Sequence, residues 1–418
     1  MTVEASIGLG SPAGPGASTR SALRSLSLLS RANLTLIGLL LPAVFATVVC
    51  LIIPIAMFLI RDVSNTEITT VLPRTLVALS HWDGQGTPPD DAYSNLLKEL
   101  AQAGESGRLG ELARRLNILV PGYRTLVMKT GTQANDVSGP ARAALIDIDR
   151  RWGEPNVWLL LRQESGRWTD SYFLAAFDLK RSLDGGIARV EERSRIFVDL
   201  FVRTFVISFS VTLLCLLFGY PAAYALAHAP KHWLGVLLVL VLLPFWTSTL
   251  VRSTAWIVLL QNEGLINKTL RASGLIDESL PLFANRFAVL VAMTHVLLPY
   301  MIMPLYGAMK AVPPDLVRAA GSLGANPIRA FRRVYLPQTY AGMAAGSLLV
   351  FILALGYYIT PAIVGGPGDQ MISYFIALFT NESLNWGLAS ALGTLLLLVT
   401  VLFYGGFSWM SRKSGSAV

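Results

Sequence analysis

Hydrophobic residues in this chain come in long blocks separated by polar stretches, and the block lengths predict its elements. Apolar runs cover about 33–60, 203–227, 233–260, 285–311, 339–361 and 387–409. Each reaches the roughly 20 residues that a helix needs to cross a hydrocarbon core of about 30 Å. The pattern predicts an all-α polytopic membrane protein with six transmembrane helices, one amino-terminal and five in a later group. The first run, at 28 residues, exceeds the apolar core of about 7–15 residues in a signal peptide, and no small-x-small cleavage pattern follows it. An uncleaved anchor is therefore expected. Pro42 and Pro54 fit inside such a span because neighbouring helices can satisfy the freed carbonyls.

Between the first and second runs the chain turns polar for about 135 residues, 61–196. Leu96, Leu97 and Leu100, then Leu109, Leu112, Ala113 and Leu116, repeat at three and four. Further apolar clusters run over 157–161 and 172–179, with Pro88-Pro89, Gly104, Gly107, Gly122 and Gly185-Gly186 as punctuation. A small, mostly α-helical domain with its own core is predicted. Residues 1–32, rich in Ser, Gly and Ala, read as a disordered cytoplasmic tail.

Charge gives these segments sides. The chain is 53% hydrophobic and 14% charged, against about 25% charged in soluble domains. Its net charge of +8 would suit a nucleic-acid binder if it were clustered on one surface. Instead 61–196 balances 18 basic against 18 acidic residues. The excess sits in short segments: Arg20, Arg24 and Arg31 at the start, Lys231, the loop after the fourth run, and Arg412-Lys413 at the end. The positive-inside rule then puts both termini and these loops in the cytoplasm and 61–196 on the periplasmic side. The charge describes topology, and no nucleic-acid partner is expected.

Candidate chemistry is sparse. Cys50 and Cys215 fall inside apolar runs as small fillers, with no metal or disulfide spacing. His295 lies within a span, where it is either functional or hydrogen-bonded to a neighbouring helix. No G-x-x-x-x-G-K-[ST] occurs, so ATP has no phosphate-binding loop here and no cofactor is expected in this chain. The 412–418 segment is a short cytoplasmic end.

The segment 313–337, between the fourth and fifth runs, is the most specific. Lys310, Arg318, Arg329, Arg332 and Arg333 face one acid, Asp315. Ala319, Ala320 and Gly321 give a first short helix a small-residue face. Gly324 suits the left-handed residue just past the helix end. After Ala325, Asn326 and Pro327 form an N-cap and first-turn pair opening a second helix through Arg332, and Pro337 ends it. Helix, tight turn, helix is the expected fold.

The run 318–324, R-A-A-x-x-x-G, followed by thirteen residues to Pro337, is similar to the EAA signature of permease subunits in bacterial ABC importers. The resemblance covers about 197–409, within a type-1 permease domain over 197–411. Gly219-Tyr220-Pro221, Pro244-Phe245-Trp246-Thr247 with Arg252, Pro304-Leu305-Tyr306, and Thr360-Pro361 before Gly365-Gly366-Pro367 resemble the spermidine/putrescine permeases. The resemblance implies residence in the bacterial inner membrane. It implies that 313–337 is the coupling helix seated in a cleft of an ATPase subunit. It also implies a second permease, two ATP-binding subunits and a periplasmic solute-binding protein as partners, with the substrate path between the permeases. One position departs: the signature's acid is Arg318 here, so a contact made by that acid has to be made differently.

A polyamine cargo needs cation-friendly groups, yet spans two to six hold no carboxylate except Asp199, at the outer mouth of span two. Trp246, Trp256, Tyr300, Tyr306, Tyr357 and Tyr358 could supply cation–π faces, and each could equally be an interfacial anchor. Arg252, expected deep in the third span, needs a partner there. Beside a cationic cargo it would be structural or gating, bonding loop carbonyls; for an anionic or amino-acid-like cargo it would be a ligand. A membrane sensor or anchor built around 61–196 is a further alternative. For 61–196 the expectation is support for binding-protein docking.

Overall fold

The computed structural model describes residues 40–137, 139–182 and 185–415; the predicted tail over 1–32 lies outside them. The first helix, α1 (Leu40–Arg61), is apolar on every side and carries one π turn over Val48–Ile52. A helix without a polar face belongs in lipid or in a large core.

Residues from Arg61 onward form the rest of the protein. The insertion is helical, as its periodicity predicts. Its core packs Leu96 and Leu100 of α2 (Asp90–Glu105), Leu112 and Leu116 of α3 (Leu109–Leu119), Leu126 of α4 (Tyr123–Gln133), and Trp158 and Leu161 of α5 (Pro155–Gln163). Trp152 Nε1 donates to Thr130 Oγ1 at 2.8 Å and Trp158 Nε1 to the Trp152 carbonyl at 2.9 Å. Both large indoles are thus buried with their polar atoms satisfied. A short helix, α6 (Ser171–Ala176), leads to a two-stranded antiparallel hairpin, β1 (Leu179–Arg181) and β2 (Ile187–Arg189), with Lys180 opposite Ala188.

The bundle begins at α7 (Phe197–His228), 32 residues long and so longer than its predicted span. Nothing at its N-cap position, Ile196, can cap it. Asp178, from the turn before β1, does so instead. Its carboxylate accepts from the backbone N–H groups of Ile196 (3.0 Å), Phe197 (3.1 Å) and Val198 (2.8 Å). Charge at a helix N-terminus is favourable through the macrodipole and the unpaired donors there.

The predicted third span is not one helix. α8 (Lys231–Leu242) runs into a tight turn at Leu243–Trp246, and α9 (Thr249–Leu260) leaves at 98° to the preceding segment. Pro244 tightens that turn, Thr247 is extended, and Ser248 Oγ caps α9 by accepting from Leu250 N–H at 3.3 Å. The helix that follows α9, α10 (Leu265–Ala272), is amphipathic.

α11 (Arg286–Ala311) matches its predicted run almost to the residue, and is the most buried of the spans. After the hairpin, α14 (Tyr340–Leu355) ends six residues short of its predicted limit. Gly356 closes it and a separate short helix, α15 (Ile359–Val364), carries Thr360 and Pro361. α16 (Ile372–Asn381) is apolar but only 10 residues long. α17 (Trp386–Gly415) continues past the predicted end of the last span. Among the described residues four helices are long and apolar enough to cross a membrane unbroken, and six segments result only if each bent pair counts once.

α7, α11 and α14 form the centre of the bundle around Val211, Cys215, Met293, Met301 and Val350. Small residues set the spacing. A Cβ on Gly346 would lie 2.8 Å from Met301 Sδ, and one on Gly342 would lie 2.9 Å from the Pro304 carbonyl oxygen. Such backbone approach is how helices gain packing in a solvent as apolar as their own side chains.

Candidate functional site

The hairpin between α11 and α14 forms from local signals. Pro314 sits in the first turn of α12 (Pro314–Ser322), where its missing N–H costs nothing. The helix ends in a Schellman motif. Ala325 N–H bonds the Ala320 carbonyl at 3.0 Å, Gly324 N–H bonds the Gly321 carbonyl at 2.9 Å, and Gly324 takes φ +85°. Asn326 then caps α13 (Pro327–Ala330), its Oδ1 accepting from Arg329 N–H at 2.8 Å. So Gly324, Ala325, Asn326 and Pro327 take the conformations their residue types suggest.

Pro337 does not end this second helix. α13 passes into a π turn over Phe331–Tyr335, where Leu336 N–H bonds the Phe331 carbonyl five residues back, and the helical path runs on to Gln338. Pro337 has no N–H to offer the Arg333 carbonyl in an ordinary α ladder, so the wider turn accommodates it. A 58° bend then separates this segment from α14.

The turn presents apolar side chains to the outside. Leu323 is 89% and Ile328 70% exposed, with Leu316 beside them at 41%. Arg318, at the position of the signature's acid, pairs with Asp315 at 2.9 Å, one turn back on its own helix and almost wholly in solvent. Ala319, Ala320 and Arg332 lie on the same hairpin, outside the packed core. Its base is fixed: Phe331 and Tyr335 stack at 5.7 Å, and both meet Tyr224 of α7 edge-on, at 5.9 and 5.5 Å. A cavity of about 520 Å³ remains between hairpin and helix ends, with Tyr335 and Lys310 in its wall. The aromatic clamp fastens the base of the hairpin to α7.

The structure distributes the other singled-out residues around the bundle. Arg252 is not deep in a continuous span; it stands in the first turn of α9, just past the break. Its Nη2 donates to Thr249 Oγ1 at 3.2 Å, a hydroxyl where loop carbonyls were expected, and its Nε has no partner among the described residues. Trp256 Nε1 donates to His295 Nδ1 at 3.3 Å, which joins α9 to α11 and gives His295 the helix-to-helix bond foreseen for it. Tyr300 packs edge-on against Phe245 at 4.8 Å. Trp246 is 74% exposed at the turn, and Tyr306 is half-buried against the bundle core. Tyr357 follows the end of α14 with its hydroxyl buried and without a partner among the described residues, and Tyr358 is exposed. None of these seven lines the cavity beside the hairpin.

Sequence reasoning missed the contacts that join distant segments. Ser253 and Thr360 hydroxyls meet at 2.9 Å between α9 and α15. Arg286 Nε donates to Asp369 Oδ1 at 3.0 Å, holding the loop 365–369 on the start of α11. Thr204 Oγ1 accepts from Ile372 N–H at 2.9 Å on the α7 side. In the insertion, buried Arg115 donates to Glu164 at 2.8 Å and to Ser171 at 2.6 Å, with its guanidinium 4.2 Å from the Tyr172 ring centre. The only local hint was a charged residue inside an apolar helical repeat.

A polytopic helical bundle with one capped, apolar-tipped hairpin is the architecture of a membrane transport component. The chain belongs to the family of binding-protein-dependent transport system inner membrane components, whose model matches residues 193–414. It is 33% identical over 232 residues to the spermidine/putrescine transport system permease protein PotB of Haemophilus influenzae, an alignment covering 54% of this chain and 81% of that one. PotB of Escherichia coli K12 is 31% identical over 204 residues, covering 49% and 74%. The inner membrane ABC transporter permease protein YdcU of the same organism is 31% identical over 226 residues, covering 50% and 70%. The insertion up to residue 192 lies outside the family match.

Proposed function

We propose that this chain is the transmembrane permease subunit of an ATP-driven importer for spermidine- or putrescine-like polyamines. It works with a second permease, two ATP-binding subunits and a periplasmic solute-binding protein, with both its termini in the cytoplasm. ATP is bound and hydrolysed by the partner subunits. The hairpin 313–337 is the lever they move.

The exposed turn of that hairpin carries the reading. Leu323 and Ile328 stand on a rigid double helix where solvent exposure is unfavourable, at about 25 cal/mol per Å² of apolar surface. Burial in a partner's cleft removes that cost. The aromatic clamp on Tyr224 supplies stiffness for transmission. With Arg318 turned onto Asp315, docking rests on the apolar tip and on Arg329, Arg332 and Arg333. The polyamine assignment is supported by the likeness to PotB.

The test is co-purification and transport together. Leu323→Glu in the full complex is expected to release the ATP-binding subunits while the chain still inserts in the membrane. Proteoliposomes carrying the intact complex should take up labelled putrescine or spermidine with ATP. Retention of the ATP-binding subunits by Leu323→Glu would reject the lever. A second reading, an anionic or amino-acid-like cargo, is favoured by the unpartnered Nε of Arg252. Uptake of such solutes that is abolished in Arg252→Ala, with no polyamine uptake in wild type, would establish it instead.

A further inference from the structure

A cleft of about 190 Å³ separates the insertion from the segment that leads into α17. Its walls come from the helix Thr66–Thr69, from α3, and from residues 384–386. Six charged side chains line it, four basic and two acidic. Arg108 is engaged with Glu111 at 4.0 Å, and Arg115 uses its Nη2 on Glu164 and Ser171. What remains is uneven. Arg61, Arg114 and the second guanidinium nitrogen of Arg115 face a single carboxylate, Glu67.

Two of those groups are buried without a partner among the described residues: Arg115 Nη1 and Glu67 Oε2. The Arg115 side chain is 1% exposed, so bulk water does not satisfy it. A buried donor and a buried acceptor, each unmet and each carried by a residue of this cleft's wall, call for a ligand that offers both signs. Inorganic phosphate would answer the arginines and leave Glu67 repelled. A metal cation would answer Glu67 and leave three arginines.

The depth of the cleft narrows the source. Trp386 begins the membrane helix α17, and the Arg61 guanidinium lies 5.6 Å from its ring centre. Arg61 also directly follows the apolar run ending at residue 60. Tryptophan and arginine at the ends of apolar helices mark the headgroup layer. We infer that this cleft binds a phosphate–primary ammonium zwitterion, the phosphoethanolamine headgroup of a membrane lipid. The phosphate sits among Arg61, Arg114 and Arg115, and the ammonium donates to Glu67. The lipid would then join the insertion to the outer end of α17. The inference is independent of the cargo and of the ATP-binding partners.

Native mass spectrometry of the full-length protein, released from nanodiscs holding equal phosphatidylethanolamine and phosphatidylcholine, tests it. Wild type is expected to retain the ethanolamine lipid about tenfold over the choline lipid, a difference of about 1.4 kcal/mol, because a quaternary ammonium cannot donate to Glu67. Glu67→Gln should flatten that preference, and Arg114→Gln should lower retention of both lipids. Arg189→Gln, on β2, should change neither. Equal retention by wild type, or a preference that survives both Glu67→Gln and Arg114→Gln, overturns the site. Soluble O-phosphoethanolamine is the second arm: if it binds the detergent-purified protein while no lipid is selectively retained, the source is a free metabolite and the lipid assignment fails.

Discussion

Tyr172 of the insertion lays its ring directly on the backbone of Gly387 in α17, where any Cβ would overlap the ring atoms. The Arg115 guanidinium lies 4.2 Å from the same ring's centre. Tyr172 is therefore held between a buried cation and a bare stretch of helix, and it is 2% exposed. Burial and the neighbouring Glu67 and Glu164 hold its phenol neutral well above the usual tyrosine range.

That contact predicts a steric effect with a clear direction. Gly387→Ala is expected to destabilise the seating of the insertion by about 1–3 kcal/mol, the usual cost of overpacking, and Gly387→Leu to detach it. Limited proteolysis of the full chain should then cut within 61–196 faster, while α11 and α14 stay protected. Unchanged digestion of Gly387→Leu would rule the contact out as the seat.

The hairpin should be sensitive at two residues that shape its turn, Asn326 and Gly324. Asn326→Ala removes the cap on Arg329 N–H and costs about 1 kcal/mol. Gly324→Val forces a β-branched residue to φ +85° and costs more. Both variants are expected to insert normally and to lose ATP-driven transport, Gly324→Val more severely. Transport equal to wild type in Gly324→Val would show that the turn geometry is not used.

Arg286 and Asp369 hold the glycine-rich loop against α11 at 3.0 Å, with Arg286 about half exposed. Solvent screening limits such a pair to roughly 0.2–1 kcal/mol. Asp369 also accepts from the Gly366 N–H at 3.4 Å, so it has two roles in the loop and Arg286 has one. Asp369→Ala is expected to lower the melting temperature more than Arg286→Ala. A double-mutant cycle should give a coupling within that range, and zero coupling would remove the pair from the account.

Asp62, just past α1, gives a pH test. Its Oδ2 accepts from Thr394 Oγ1 at 2.7 Å, while Oδ1 is buried without a partner among the described residues. Burial raises its carboxyl above the usual range. Because the folded form holds the proton more tightly than the unfolded one, at about 3.9, its stabilisation is full below that pH. It fades as pH rises through the raised value. Asp62→Asn should therefore melt higher than wild type at pH 7, with the gap closing toward pH 4. A constant or reversed gap would contradict this.

What could be read in advance follows from the range over which each determinant acts. Gly324, Asn326 and Pro327 specify their turn because caps and left-handed residues act within four positions of themselves. α11 was legible because composition along one line records burial in lipid. The same record is blind to direction: 233–260 stays apolar whether the helix is straight or turns through 98°. There Pro244 and Ser248 were local signals outweighed by hydropathy.

The sequence by itself determined that this is a helical membrane protein with a polar helical insertion and a capped hairpin. Tertiary structure alone decided that Asp178 caps a helix eighteen and more residues away, and that Arg115 meets Glu164 across 49 residues. It also decided that Gly387 must be bare for Tyr172. Those choices depend on which surfaces meet once helices pack, and no pattern within a single helix encodes its neighbour.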